Sequence, residues 1–199
     1  MSHIKFNPRT LTIVLFILAI GIFRALIPIM GDINVLANYS AVGAIALFGG
    51  AYFKSNSKAF GFPLLTLLLS DLILSVTFYK DFNGGFLYEG WYMVYAAVAL
   101  MVLAGKLIMK NVNVYSVVLA SIVTVFIHWI VSDFGVWYGS ALYPQTLAGF
   151  WAALAAAVPF EIRFLDGTLG YSALMFGLFE YMKVRYPALS LKTNTLVVD

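Results

Sequence analysis

The chain contains no cysteine and little charge, with Asp, Glu, Lys and Arg together making up 11% of its 199 residues. Without cysteine there is no disulfide framework, no thiolate metal site and no cysteine nucleophile. Histidine is scarce too, at two residues, which is too few for a zinc centre. Enzyme signatures are also missing. There is no H-E-x-x-H, no G-x-S-x-G and no phosphate-cradling glycine run ahead of a helix. The chain is therefore not read as an enzyme, and no catalytic residue, metal or cofactor is expected.

What is abundant is apolar. Hydrophobic residues make up 62% of the chain and the mean hydropathy is +0.93. A soluble domain carries about 25% charged residues. The composition predicts an all-α polytopic membrane helical bundle, one integral domain over residues 1–199 whose partner is the lipid bilayer. The sequence pI near 9.0 does not point to nucleic acid, because Lys and Arg flank apolar runs as membrane topology requires. Arg24 interrupts the first run and no A-x-A site follows. That run is read as a membrane helix and not as a cleavable signal.

The chain is organised around FGFPLLTLLLSDLILSVTFY, residues 60–79, an apolar span with Asp71 at its centre. An Asp in mid-membrane costs about 2.5–3.5 kcal/mol on insertion scales, so it needs a cation, a polar ligand or water. Helices are predicted over 11–30, 39–53, 60–79, 91–109, 114–132, 147–160 and 168–184. Thr10 and Asn113 are N-cap candidates, Pro63 suits a first turn, and Pro159 is read as the stop of a short sixth segment. Ser40/Ala44 and Ala46/Gly50 place small residues one turn apart, which lets helices approach closely. Glu180 and Lys183 suit an i,i+3 pair.

Lys5, Arg9, Lys54, Lys58, Lys106, Lys110, Lys183, Arg185 and Lys192 cluster on alternate connections. That alternation predicts six spans with both termini cytoplasmic, in a bacterial inner membrane. Segment 147–160 is too short to span comfortably and is expected to be re-entrant or to lie near the outer face. The outer connections 31–39, 80–91 and 133–146 are rich in rings, Asn and Gly. Asn38, Trp91, Asp133, Trp137 and Tyr143 there suit the mouth of a small-ligand site.

Helical rise places Arg24, Asp71 and His128 about 20, 17 and 21 Å from the cytoplasmic ends of their segments. Three ionisable groups at one level predict an Arg24–Asp71 ion pair with His128 nearby, flooring an outward-facing pocket. Buried charges in lipid pair or line a wet cavity.

Residues 152–182, AALAAAVPFEIRFLDGTLGYSALMFGLFEYM, resemble the last part of the substrate-binding S components of energy-coupling-factor vitamin transporters. An Ala-rich short helix ending in Pro159-Phe160, then a loop with Asp166, then a final helix carry the likeness. NYSAVGAIALFGGAYF and LLLSD also resemble a group of bacterial membrane proteins without an assigned role. The first resemblance implies a subunit that binds a vitamin or similar small molecule from outside, with Asp166 among the ligand residues. It implies partners as well: a transmembrane coupling subunit and two ATPases. Docking in such proteins uses small residues four apart on helix one, and Gly21 and Ala25 have that spacing. Leu169 stands where biotin-type members carry Lys, so a biotin-like acid is not favoured. In the cobalamin-type relative a Cys sits near the cobalt; this chain has no Cys, and only His128 could substitute. The alternative is an accessory subunit of a larger membrane complex, with no ligand of its own.

Overall fold

The computed structural model describes residues 7–26, 39–77 and 87–190. Among them are six α-helices, α1 Pro8–Leu26, α2 Val42–Tyr52, α3 Asn56–Thr77, α4 Trp91–Ile108, α5 Val114–Trp137 and α6 Leu147–Arg185, followed by a 3-10 turn, Pro187–Leu189. Five of these are long and apolar enough to cross a membrane. Leu15, Ile22, Val76, Leu107, Ile130 and Val184 lie exposed on their outer faces. Apolar surface of that extent suits lipid contact.

The short helix is the centre of the bundle. All of α2 except Ala51 is buried, as expected of a helix apolar on every side. It packs against α1, α3, α4, α5 and α6. The five long helices form a ring around it: α1 meets α3, α3 meets α4, α4 meets α5 and α5 meets α6. Rings of α1 and α6 close the circle, Phe16 on Phe179 and Phe23 on Tyr171. The small residues of α2 are what make its position tenable. A side-chain carbon at Gly50 would strike the backbone of Val102 and Gly105, and one at Gly105 would strike the backbone of Leu47. Two helical backbones therefore touch where α2 crosses α4, the close approach that small residues permit in membrane bundles.

One end of the ring is clasped shut. The guanidinium of Arg9 donates to the carbonyl of Leu189 at 2.6 Å and to that of Tyr52 at 3.4 Å. It also lies 5.5 Å from the ring centroids of Tyr52 and Phe179, within cation–π range. The Tyr52 hydroxyl donates to Glu180, which pairs with Lys183 at 2.7 Å as the i,i+3 spacing predicts. The start of α1 and the end of α6 thus share one end of the bundle.

Several local expectations need correction. Segments 147–160 and 168–184 are one continuous helix, so 147–160 is not a separate re-entrant piece. Pro159 sits inside α6. It has no N–H to give the Ala155 carbonyl one turn back; one residue before that, the Leu154 carbonyl also accepts the indole N–H of Trp129 at 2.9 Å. That bond ties α5 to α6 beside the proline. At 39 residues α6 is about 58 Å long, nearly twice a bilayer core of about 30 Å.

Other boundaries also move. Helix α3 begins at Asn56, so Pro63 lies in its second turn and not its first. Asn7, not Thr10, caps α1, its side chain accepting from the Thr10 N–H. Helix α5 runs on to Trp137, which puts Asp133 in the helix and not in a loop. Its start is as expected, with a reciprocal capping box between Asn113 and Ser116.

Candidate functional site

Because α2 is only 11 residues long, it fills about 16 Å of the ring's interior. It reaches the clasped end at Tyr52 and stops midway. Val42, in its first turn, borders the same small void as Arg24, Ser70 and Val98. Gly43 packs on Thr124 and Thr168, and the backbone of Tyr39 and Ser40 packs on Gly167. Helices α3, α4, α5 and α6 continue past this level, and a set of buried ionisable side chains lies at and beyond it.

They form two groups. In the first, Arg24 of α1 pairs with Asp71 of α3 at 2.9 Å, and the Asp71 side chain is 2% exposed. Arg24 also donates to the Ser70 hydroxyl. The Tyr95 hydroxyl of α4 donates to the other Asp71 oxygen at 3.2 Å. Trp91 stands edge-on to Tyr95, 5.3 Å between centroids. Asp71 is thereby satisfied from two helices, as a carboxylate in an apolar bundle requires.

The second group lies between α5 and α6. Nδ1 of His128 is 2.7 Å from Oε1 of Glu161, and the imidazole packs on the Phe164 ring at 4.4 Å. The Ser132 hydroxyl donates to the His128 carbonyl at 2.7 Å and lies 3.5 Å from its Nδ1. Asp133, one turn further along α5, is buried and lies within electrostatic reach of both His128 and Glu161.

The predicted residues therefore divide. Arg24 and Asp71 meet, with Trp91 joined to them through Tyr95. His128 meets Glu161, which sequence reasoning missed, and Asp133 is buried further along the helix of His128. The signal was present: Glu161, Phe164, Thr168 and Ser172 share one helical face and are all buried. Reading Pro159 as a stop hid that spacing. Trp137 and Tyr143 are part of the α5–α6 connection. The Trp137 indole donates to the Pro144 carbonyl at 2.9 Å, and the Tyr143 carbonyl accepts from Gln145. Asp166 is exposed on α6, away from the buried face that carries Glu161 and Thr168. Asn38 lies outside the described residues. Among the described residues no cluster of His, Asp and Glu is arranged to hold a metal ion.

Among the described residues, hollows border the α5–α6 seam. One of about 160 Å³ is lined by Phe126, Trp129, Ile162 and Glu161. A larger one of about 630 Å³, at the clasped end, is lined by Asn113, Phe176, Ser172 and Glu180.

No curated protein and no solved structure matches this sequence. Residues 4–189 match the model of one family, described as a family of unknown function. By a match over nearly its whole length, the chain belongs to that family, DUF6580.

Proposed function

We propose that this protein is a membrane-embedded substrate-binding subunit, of the S-component type, that serves uptake of a vitamin or similar small molecule. One observation carries the reading. The central helix stops halfway, and beyond it the surrounding helices present Arg24, Asp71 and Tyr95 on one side and His128, Glu161 and Asp133 on the other. Ionisable side chains inside a membrane bundle are costly and mark substrate or ion pathways. Among the described residues the ring is filled by α2 toward one end and carries these ionisable groups toward the other, an arrangement suited to a ligand that enters from that other side.

In this reading the clasped end faces the cytoplasm, with both termini, in a bacterial inner membrane. The ligand enters from the opposite face, near Trp91, Trp137 and Tyr143. A transmembrane coupling subunit and its ATPases supply the energy, and the chain performs no chemistry itself.

The second reading, an accessory subunit without a ligand, draws support from the hollow of about 630 Å³ between α5 and α6, which another membrane helix could occupy. Affinity purification in mild detergent tests the two. Recovery of the chain with a coupling subunit and ATPases, and with a small molecule in the extract, supports the first. A stable membrane complex with neither ATPase nor small molecule supports the second.

A further inference from the structure

We infer that His128 and Glu161 form a proton-binding site inside the bundle, one that takes up and releases a single proton between α5 and α6. The inference goes beyond the uptake reading and does not rest on it. It begins from a contrast between two buried carboxylates. Asp71 faces the guanidinium of Arg24 at 2.9 Å, and its other oxygen takes the Tyr95 hydroxyl. A guanidinium does not give up its proton in a protein, so that pair is neutral overall and fixed. Glu161 faces an imidazole instead, with Nδ1 of His128 at 2.7 Å from Oε1. Imidazole is the side chain that gains and loses a proton near neutral pH. The oxygens differ as well. Both of those on Asp71 are engaged, whereas Oε2 of Glu161 is buried with no hydrogen-bond partner among the described residues. An ionised carboxylate only accepts hydrogen bonds, and a protonated one also donates. The single contact at Glu161 provides for a carboxyl that shares a proton with its neighbour.

Two protonation states fit the short contact. In one, a neutral imidazole donates from Nδ1 to the carboxylate, Nε2 is bare and the pair is negative. In the other, an added proton makes the pair neutral, as imidazolium with carboxylate or as imidazole with carboxylic acid. Nε2 carries hydrogen in both neutral forms. Among the described residues Nε2 makes no hydrogen bond, and the His128 side chain is 24% exposed, so protons can reach the ring. Few other charges act on the pair. Asp133, buried on the same helix as His128, interacts electrostatically with both residues. Arg163 and Asp166 are exposed on α6, and Glu180 is engaged with Lys183 at the clasped end. Helix α2 carries no charged residue, and Lys106 of α4 donates to the Phe53 carbonyl. The hollow beside Glu161 is lined by no other titratable side chain. Carboxylates and histidines inside membrane bundles serve as proton relays, and of the two pairs only this one is built to exchange a proton.

The chain has two histidines, His3 and His128, so His3→Gln leaves a single imidazole. The full chain with that change, carrying isotopically labelled histidine and held in lipid bilayers, is followed by nitrogen NMR from about pH 4 to about pH 9, a range that brackets ordinary imidazole titration. Nε2 is expected to pass from bare to hydrogen-bearing as pH falls, in one step spread over about two pH units. Nδ1 reports which partner holds the added proton. Adding Glu161→Gln removes the negative charge that favours the extra proton, and is expected to raise the proton concentration at the midpoint about tenfold or more. Glu161→Asp keeps the charge and recovers most of that difference. Where Glu161→Gln does not fold, the step at Nε2 in the parent chain decides alone. An Nε2 that stays in one state throughout, or a midpoint indifferent to Glu161→Gln, overturns the proton site and leaves a fixed structural hydrogen bond. Neither result removes the uptake reading, which stands or falls on a small molecule bound to the unmodified chain.

Discussion

The guanidinium of Arg24 and the carboxylate of Asp71 lie 2.9 Å apart across α1 and α3, with side chains 20% and 2% exposed. Removing one partner strands the other inside the bundle. Asp71→Asn or Arg24→Gln alone is expected to cost about 3 kcal/mol, toward the low end for a buried pair because Arg24 retains some exposure. The double change Arg24→Met with Asp71→Leu is expected to cost clearly less than the sum. Reversible unfolding in mixed micelles measures all three. Strictly additive losses would show that the two charges do not act as a pair.

The crossing of α2 and α4 leaves no room for a side chain at Gly50 or Gly105. Gly105→Val places a branched carbon against the Leu47 backbone and is expected to cost about 1–3 kcal/mol or more. Gly170→Ala is the control, since a side-chain carbon there meets nothing. Thermal stability in detergent reads the difference. Equal melting of the two variants would contradict the packed crossing.

The clasp makes a separate prediction. Arg9→Ala removes the donor to Leu189 and the cation over Tyr52 and Phe179. A charged hydrogen bond and a partly buried cation–π contact together are worth about 2–4 kcal/mol. The loss is expected to appear first as faster amide exchange at residues 188–190. Uniform acceleration along the whole chain would instead point to global destabilisation.

Continuity of α6 through Pro159 can be read with a ruler. Spin labels at Trp151 and Tyr181, both exposed, span 30 residues of one helix, and a lone proline bends it only modestly. Pulsed electron resonance should give about 40–45 Å. A distance under about 25 Å would restore a re-entrant arrangement.

The membrane bundle was legible because apolar runs and their basic flanks are set by the solvent, not by tertiary detail. The Arg24–Asp71 pair was legible for a related reason, since helical rise turns sequence position into depth. Depth does not specify azimuth, however. His128 faces Glu161 and not Arg24. Pro159 was misjudged because proline ends helices in water, where freed carbonyls have other partners. Inside this bundle the helix runs on through Pro159, and Trp129 ties the Leu154 carbonyl just before it to α5. Trp137 was expected at the mouth of a ligand site; its N–H also closes its own connection, a local bond that composition cannot reveal.

Native mass spectrometry of the full chain, extracted in mild detergent from cells grown in rich medium, tests the central claim most directly. The account predicts one small molecule bound per chain, lost in Glu161→Gln with Asp133→Asn and retained in Gly170→Ala. A bare chain mass throughout, under conditions that keep lipids bound, would contradict it.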